Sequence, residues 1–173
     1  YKITTGEAYV LDSISSRIDS PVIDSLYKEL NTDSYLKKGT PFNTSNFEKE
    51  RSRLTNAFRN SGVYHFSQDY IRFENDTIGT QKKVNVSVQI QNRIIRNEDS
   101  ITRVPFEIYR IKDVNIYTDA SFENRSKSVQ DSISYENYKL YSFNKMNYLP
   151  KALTKSVLLS KGSVFRDLDR SRT

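Results

Sequence analysis

The sequence predicts an α+β fold of tandem β-α-α-β-β units, each a small mixed sheet packed on two helices. Three observations carry that expectation. Two apolar stripes at helical spacing lie between strand-like runs in the first half of the chain. Val84, Val86, Val88 and Ile90 alternate with Asn85, Ser87, Gln89 and Gln91, the period of a half-buried strand. The pattern then restarts. Tyr109-Arg110-Ile111-Lys112-Asp113-Val114 echoes Tyr9-Val10-Leu11-Asp12-Ser13-Ile14. Lys161-Gly162-Ser163-Val164-Phe165 echoes Lys38-Gly39-Thr40-Pro41-Phe42, and Asp169-Arg170-Ser171-Arg172 echoes Glu50-Arg51-Ser52-Arg53.

The elements follow in order. Tyr9 to Ser16 reads as a strand, with Tyr9, Leu11 and Ser13 on one side and Val10, Asp12 and Ile14 on the other. Ser20-Pro21 is a helix start, Ser at the N-cap and Pro at the first helical position. Val22, Ile23, Leu26, Tyr27 and Leu30 then form one apolar stripe, broken by Lys38-Gly39-Thr40-Pro41. Ser45-Asn46-Phe47-Glu48 has the spacing of a capping box. It opens a second helix with Phe47, Leu54, Ala57, Phe58 and Ser61 near one face. Gly62 suits the left-handed C-cap.

Residues 63–74 are expected to form the next strand. Tyr64 and Phe66 share one parity, and Ile71 and Phe73 the other. A flat strand cannot bury all four, so a bulge or kink is expected near Ser67-Gln68-Asp69, with Tyr64 and Phe66 core before it and Ile71 and Phe73 core after it. A turn over residues 75–80 leads into the valine strand, and residues 92–104 read as a polar connection. The second copy carries an insertion at about residues 119–148, where Tyr138, Leu140, Phe143 and Tyr148 suggest an extra hairpin, and it is cut short at Thr173. The expected domains are therefore 1–7 (the last strand of a preceding copy), 8–104, and 105–173. The first residue is Tyr1 rather than Met, which suggests a chain processed or excised from something longer.

Composition narrows the function classes. The 173 residues are 36% hydrophobic and 28% charged, with 12 Tyr and 9 Phe, enough for a modest core. No apolar run approaches the roughly eighteen residues of a spanning helix, and no signal peptide is evident. The absence of cysteine excludes disulfide scaffolds, zinc ribbons and cysteine nucleophiles. The net charge of +6 is spread over Lys37-Lys38, Lys49/Arg51/Arg53, Lys82-Lys83 and Arg166/Arg170/Arg172, mostly with acids between them. These read as solvated faces, so nucleic acid is not an expected partner.

The unit with "KGTPF" between its helices, followed by "FEKERSRLTNAFRNSGVYHF" and the valine strand, resembles a POTRA (polypeptide-transport-associated) domain. Such domains repeat in the arms of the BamA/TamA superfamily of outer-membrane assembly factors. "YLPKALTKSVLLSKGSVFRDLDRSRT" is similar to the matching stretch of its lipoprotein, TamL-like members. The resemblance implies a periplasmic module of a Gram-negative outer-membrane protein, followed by a β-barrel not contained in this sequence. It implies partners of two kinds, unfolded outer-membrane proteins and accessory envelope proteins. They would be held by β-augmentation on the strand after the second helix. Its positions here are Val63, Tyr64, His65, Phe66, Tyr70, Ile71, Arg72 and Phe73. The alternatives are a structural spacer between an envelope partner and the barrel, and a basic nucleic-acid-binding domain.

Little in the chain suggests catalysis. His65 is the single histidine, and a metal or catalytic role would need partners that a chain without a second His or any Cys does not supply. No spaced pair of carboxylates reads as acid and base, and five glycines form no phosphate loop. No cofactor is expected. Asp-Ser/Thr-aliphatic occurs five times, starting at Asp12, Asp24, Asp76, Asp99 and Asp131. The triplet resembles an O-glycosylation sequon of exported Gram-negative proteins, which implies modification of Thr77, Ser100 and Ser132 in expected loops. Asp-Ser also favours caps and turns without any sugar.

Overall fold

A computed structural model describes residues 6–77 and 81–173. Among the described residues the fold is mixed α+β, with three small sheets and a few helices. The chain divides into two compact units, Tyr1–Arg59 with His65–Glu107, and Asn60–Tyr64 with Ile108–Thr173. Among the described residues, no helix is long and apolar enough to cross a membrane. Tyr1 to Thr5 of the expected strand at the very start lie outside the described residues, as do Ile78, Gly79 and Thr80 of the expected turn, and Gly6 and Glu7 are not in a strand.

In the first unit, β1 (Val10–Ile18) leads to α1 (Pro21–Leu30), α2 (Thr44–Asn60), β2 (Ile71–Asp76) and β3 (Lys83–Ile90). The sheet order is β1-β3-β2, with β1 parallel and β2 antiparallel to β3. β3 matches its alternation: Val84, Val86, Val88 and Ile90 are all buried. In β1 the register shifts between Leu11 and Ser13. That irregularity breaks the parity of the strand, so Leu11 and Ile14 both reach the core. They pack with Leu36, Phe47, Val84 and Val86, and Phe42 and Phe73 close over the cluster. Each fully buried aliphatic side chain here contributes about 1.5–3 kcal/mol.

The first helix starts as expected, with Ser20 at the N-cap and Pro21 in its first turn, and the second starts differently. Ser20 is the N-cap, but its hydroxyl makes no capping bond; it is bonded to the main chain of Phe106 instead. α2 begins at Thr44, and its first turn is held by Asn43, whose Oδ1 accepts from Ser45 N–H at 2.9 Å. Ser45 is thus inside the helix, and the capping box gives way to an asparagine cap two residues earlier. α1 ends at Leu30 and runs into a short 3-10 turn, Asn31–Asp33, well before the Lys38–Pro41 break.

The expected strand at 63–74 is corrected. Only Ile71–Asp76 pairs with β3, and Val63 to Ser67 are irregular. The parity conflict is resolved by a 3-10 turn, Gln68–Tyr70, at the place where a kink was required. Phe66 is buried against Phe58 at 4.9 Å and Phe106 at 5.1 Å between ring centroids, and Tyr70 lies edge-on to Phe106 at 5.0 Å. Those rings bury its side chains, while its main chain bonds locally, Tyr64 N–H to Gly62 C=O at 2.9 Å and Arg59 Nη1 to Phe66 C=O at 3.1 Å. Tyr64 is not core: it is 43% exposed.

Residues 92–104 are not a plain connection. They form a hairpin, β4 (Arg93–Asn97) and β5 (Ser100–Val104), with Glu98-Asp99 at its turn.

In the second unit, β6 (Val114–Tyr117) runs parallel to β8 (Tyr138–Ser142), and β7 (Asp131–Tyr135) pairs antiparallel with β8. A hairpin does occur in 119–148, but it is no appendage: it supplies two of the three strands of the sheet. α3 (Pro150–Thr154) and α4 (Asp167–Arg172) follow. Of the stretch Tyr109–Val114 that echoes the first strand, only Val114 lies in β6. Leu140 is the buried centre, and Tyr117 stacks on Tyr141 at 5.1 Å.

The sequence echo corresponds to a repeated local geometry. Gly39 N–H donates to Leu11 C=O at 2.7 Å, and Leu11 N–H to Thr40 C=O at 2.9 Å. Gly162 N–H donates to Ile111 C=O at 2.7 Å, and Ile111 N–H to Ser163 C=O at 2.9 Å. Phe42 N–H bonds to Tyr9 C=O in one unit and Phe165 N–H to Tyr109 C=O in the other. Both glycines have positive φ, +84° and +82°, which is why glycine stands in each motif.

Candidate peptide-binding edge

Of the eight positions expected to present a binding edge, Ile71, Arg72 and Phe73 lie in β2. Tyr70 ends the 3-10 turn before it, and Val63, Tyr64, His65 and Phe66 lie outside any strand. Val63 and Phe66 are buried. Tyr64 stacks edge-on against Phe165 at 4.9 Å in the second unit. The strand-forming part of the site is therefore shifted toward β2, whose Glu74, Asn75 and Asp76 extend it.

β2 is a sheet edge because its only strand neighbour among the described residues is β3. One row of its main-chain groups bonds to β3, and the other row faces outward. Its side chains alternate. Ile71 is buried, and Phe73 packs edge-on against Phe47 of α2 at 5.1 Å. Arg72 and Glu74 are exposed. Arg51 of α2 sits over the Phe73 ring at 5.4 Å while holding Glu48 at 2.8 Å. The inward anchors fix the strand, and no strand lies along its outward row among the described residues.

The sheet has a second edge, β1, which the sequence alone did not assign. The start of β1 is covered by the Gly39–Phe42 clasp, including a bridge between Val10 and Pro41. From Ser13 onward no strand covers its outer side among the described residues. A groove of ≈ 360 Å³ runs there, lined by Ile14, Ser15, Tyr27 and Leu36 among others. The signal for it was present but ambiguous, because the parity of β1 could not be read across its irregularity.

His65 is half-buried. Burial pushes its imidazole below the usual histidine range, and the positive charges of Arg93 and Arg59 push in the same direction. The basic groupings are largely engaged. Lys38 lies 3.6 Å from Asp12, Arg53 2.6 Å from Glu50, Lys82 2.8 Å from Glu7, and Arg170 3.1 Å from Asp167. Of the three sequon residues, Thr77 follows β2 directly, whereas Ser100 and Ser132 lie in β5 and β7 rather than in loops. All three are exposed, and Asp99 occupies the hairpin turn that Asp-Ser pairs favour.

No protein-family model matches this chain, and a search of curated proteins finds no match.

Proposed function

We propose that the chain is a non-catalytic, POTRA-type binding module of an outer-membrane assembly or translocation factor. It works in the periplasm and takes up unfolded outer-membrane polypeptides or accessory envelope proteins as an added strand on β2. The observation that carries this reading is the sheet order β1-β3-β2, which leaves β2 paired on one side only. Main-chain pairing accepts many sequences, as a factor handling diverse unfolded chains requires. The anchoring of Ile71 and Phe73 supports it, because a strand held from behind keeps its outer row in register. The ion pairs on the basic groupings favour a polypeptide over a nucleic acid, since paired Lys and Arg release few counterions on phosphate.

The test is site-specific photocrosslinking from Arg72, Glu74 and Asp76 during outer-membrane biogenesis. Crosslinks to client barrel proteins are the expected result. Crosslinks only to a fixed envelope partner would instead assign the module a spacer role.

A further inference from the structure

A cleft of ≈ 440 Å³ opens beside the start of β2. Tyr70 and Arg72 line it from the β2 side, Ile94 and Arg96 from β4, and Asn92 from the short link between β3 and β4. Its chemistry is unbalanced. Asp69 is the only acid among the lining residues, and it accepts from Ser67 Oγ at 3.3 Å. Among the described residues, neither the Arg72 nor the Arg96 guanidinium has a hydrogen-bond or ion-pair partner. Arg51 and Arg53 on α2, by contrast, each hold a glutamate. Asn92 Oδ1 is buried without a hydrogen-bond partner, so the cleft is polar at its inner side as well.

The hairpin extends the same character. Arg96 is opposite Ile101 and Ile94 opposite Arg103 in the β4–β5 register. Residues directly opposite share a face, so two arginines and two isoleucines lie together on the side that lines the cleft. Ile101 is 70% exposed.

We propose that this cleft receives a carboxylate from the polypeptide strand that pairs with β2. The inference rests on the reading of β2 as a peptide-binding edge and names what that edge selects. A planar guanidinium presents two parallel N–H donors to a carboxylate, and two such groups beside one strand end form a specific receptor. Tyr70 and Ile94 supply apolar walls that shield the pair from water. A strand added to β2 places every second side chain on the same side, and the one near Arg72 enters the cleft.

The experiment uses the chain as it stands and three labelled synthetic peptides, read by fluorescence anisotropy. One alternates Leu and Asp and ends in an amide. The second replaces Asp by Asn. The third is the Asn peptide with a free C-terminal carboxylate. The expected result is binding of the Asp peptide about 10-fold or more tighter than the amidated Asn peptide, the preference disappearing in R72Q/R96Q. R72K/R96K is expected to keep part of it, since charge remains while the fork is lost. Tighter binding of the third peptide than the second assigns the carboxylate to a chain terminus, and equal binding assigns it to side chains. Circular dichroism confirms that each variant is folded. If the Asp peptide and the amidated Asn peptide bind wild type equally and R72Q/R96Q changes neither, carboxylate selection is wrong while edge pairing stands. If none of the peptides binds, edge pairing itself fails and the proposal falls with it.

Discussion

Ser20 and Phe106 hold one another through both main-chain groups of Phe106. Its N–H donates to Ser20 Oγ at 3.0 Å, and the hydroxyl lies 3.4 Å from its carbonyl oxygen. Ser20 is 1% exposed, so water does not compete. A serine at an N-cap ordinarily accepts from its own helix. Here it fastens the segment after β5 to the start of α1. That places the Phe106 ring against Phe66 and Tyr70. Ser20→Ala is therefore expected to destabilise the first unit by about 1–3 kcal/mol, the cost of a buried N–H left unpaired. Urea unfolding measures it. A double-mutant cycle with Phe106→Ala, which keeps the main-chain bond and removes the ring, should show coupling above about 0.5 kcal/mol, and strict additivity would mean the bond does not place the ring.

Glu50 gives the second prediction. It is 1% exposed and accepts from Tyr35 N–H at 2.9 Å and from Arg53 at 2.6 and 3.0 Å. Arg53 in turn donates to Leu30 C=O at 2.9 Å, so the pair ties the end of α1 to α2. Glu50→Ala leaves a partly buried guanidinium and a main-chain N–H without their acceptor and should destabilise by about 3–5 kcal/mol. Replacing both Glu50 and Arg53 by apolar residues should lose far less than the sum of the single changes. A double loss equal to that sum would show that the two side chains are not coupled.

Tyr27 extends that cluster to high pH. Burial pushes its phenol above the ordinary value of 10.0, the Glu50 charge adds to this, and Arg53 partly offsets it. A raised pKa means the folded state favours the neutral phenol. Its contribution is fully present below about pH 10 and is lost as pH rises through the raised folded value. Tyr27→Phe should flatten the alkaline limb of the stability profile. An unchanged limb would assign alkaline unfolding to other groups.

The unequal legibility of the fold has physical causes. β3 and α1 could be read because one face of each is buried and the other is not, so their periods survive in sequence. The Gly39 and Gly162 clasps could be read because positive φ restricts the residue. Residues 63–66 could not, since Phe66 is satisfied by Phe106, distant in sequence, and aromatic density looks alike in strand and coil. The β4–β5 hairpin was hidden because a two-stranded ribbon has no core face to set a period. Glu50 looked like a surface charge, Arg53 being the i+3 partner expected of any exposed helix. The edge position of β2 was expected from the resemblance and not from the residues themselves, because strand order leaves no mark in a local pattern. The arginine cleft joins residues from 67 to 96 and has no local motif.

Two glycines with similar backbone angles are expected to respond differently to alanine. Gly39 has φ +84° and open space around its missing Cβ, so Gly39→Ala should cost about 1 kcal/mol of left-handed strain. Gly62 has φ +99°, and a Cβ there would lie 2.6 Å from Ile108 Cγ2 and 2.7 Å from Val164 Cγ1. Gly62→Ala therefore adds overpacking of about 1–3 kcal/mol to the strain. Thermal unfolding of both variants checks the order. Equal shifts would mean that Ile108 and Val164 move aside freely.

Asp119 contributes to the acid response of the second unit. Its Oδ1 accepts from Phe143 N–H at 2.9 Å, and Oδ2 accepts from Ser142 Oγ and Asn144 Nδ2, each at 3.0 Å. The Phe143 bond is the main cause holding its carboxyl below the ordinary 3.8, opposed by some desolvation and helped by the Ser142 and Asn144 bonds. A lowered pKa means the folded state favours the ionised form. The stabilisation is present above about pH 3.8 and is lost as pH falls through the lower folded value. These bonds hold the loop after β6 against the end of β8, beside the stacked rings of Tyr117, Tyr141 and Phe143. Asp119→Asn should weaken the unit at neutral pH and remove part of its acid dependence. The NMR signals of those rings, followed from pH 7 to pH 2, report it directly. Acid limbs that run parallel in wild type and Asp119→Asn would show that the carboxylate charge is not what holds the loop.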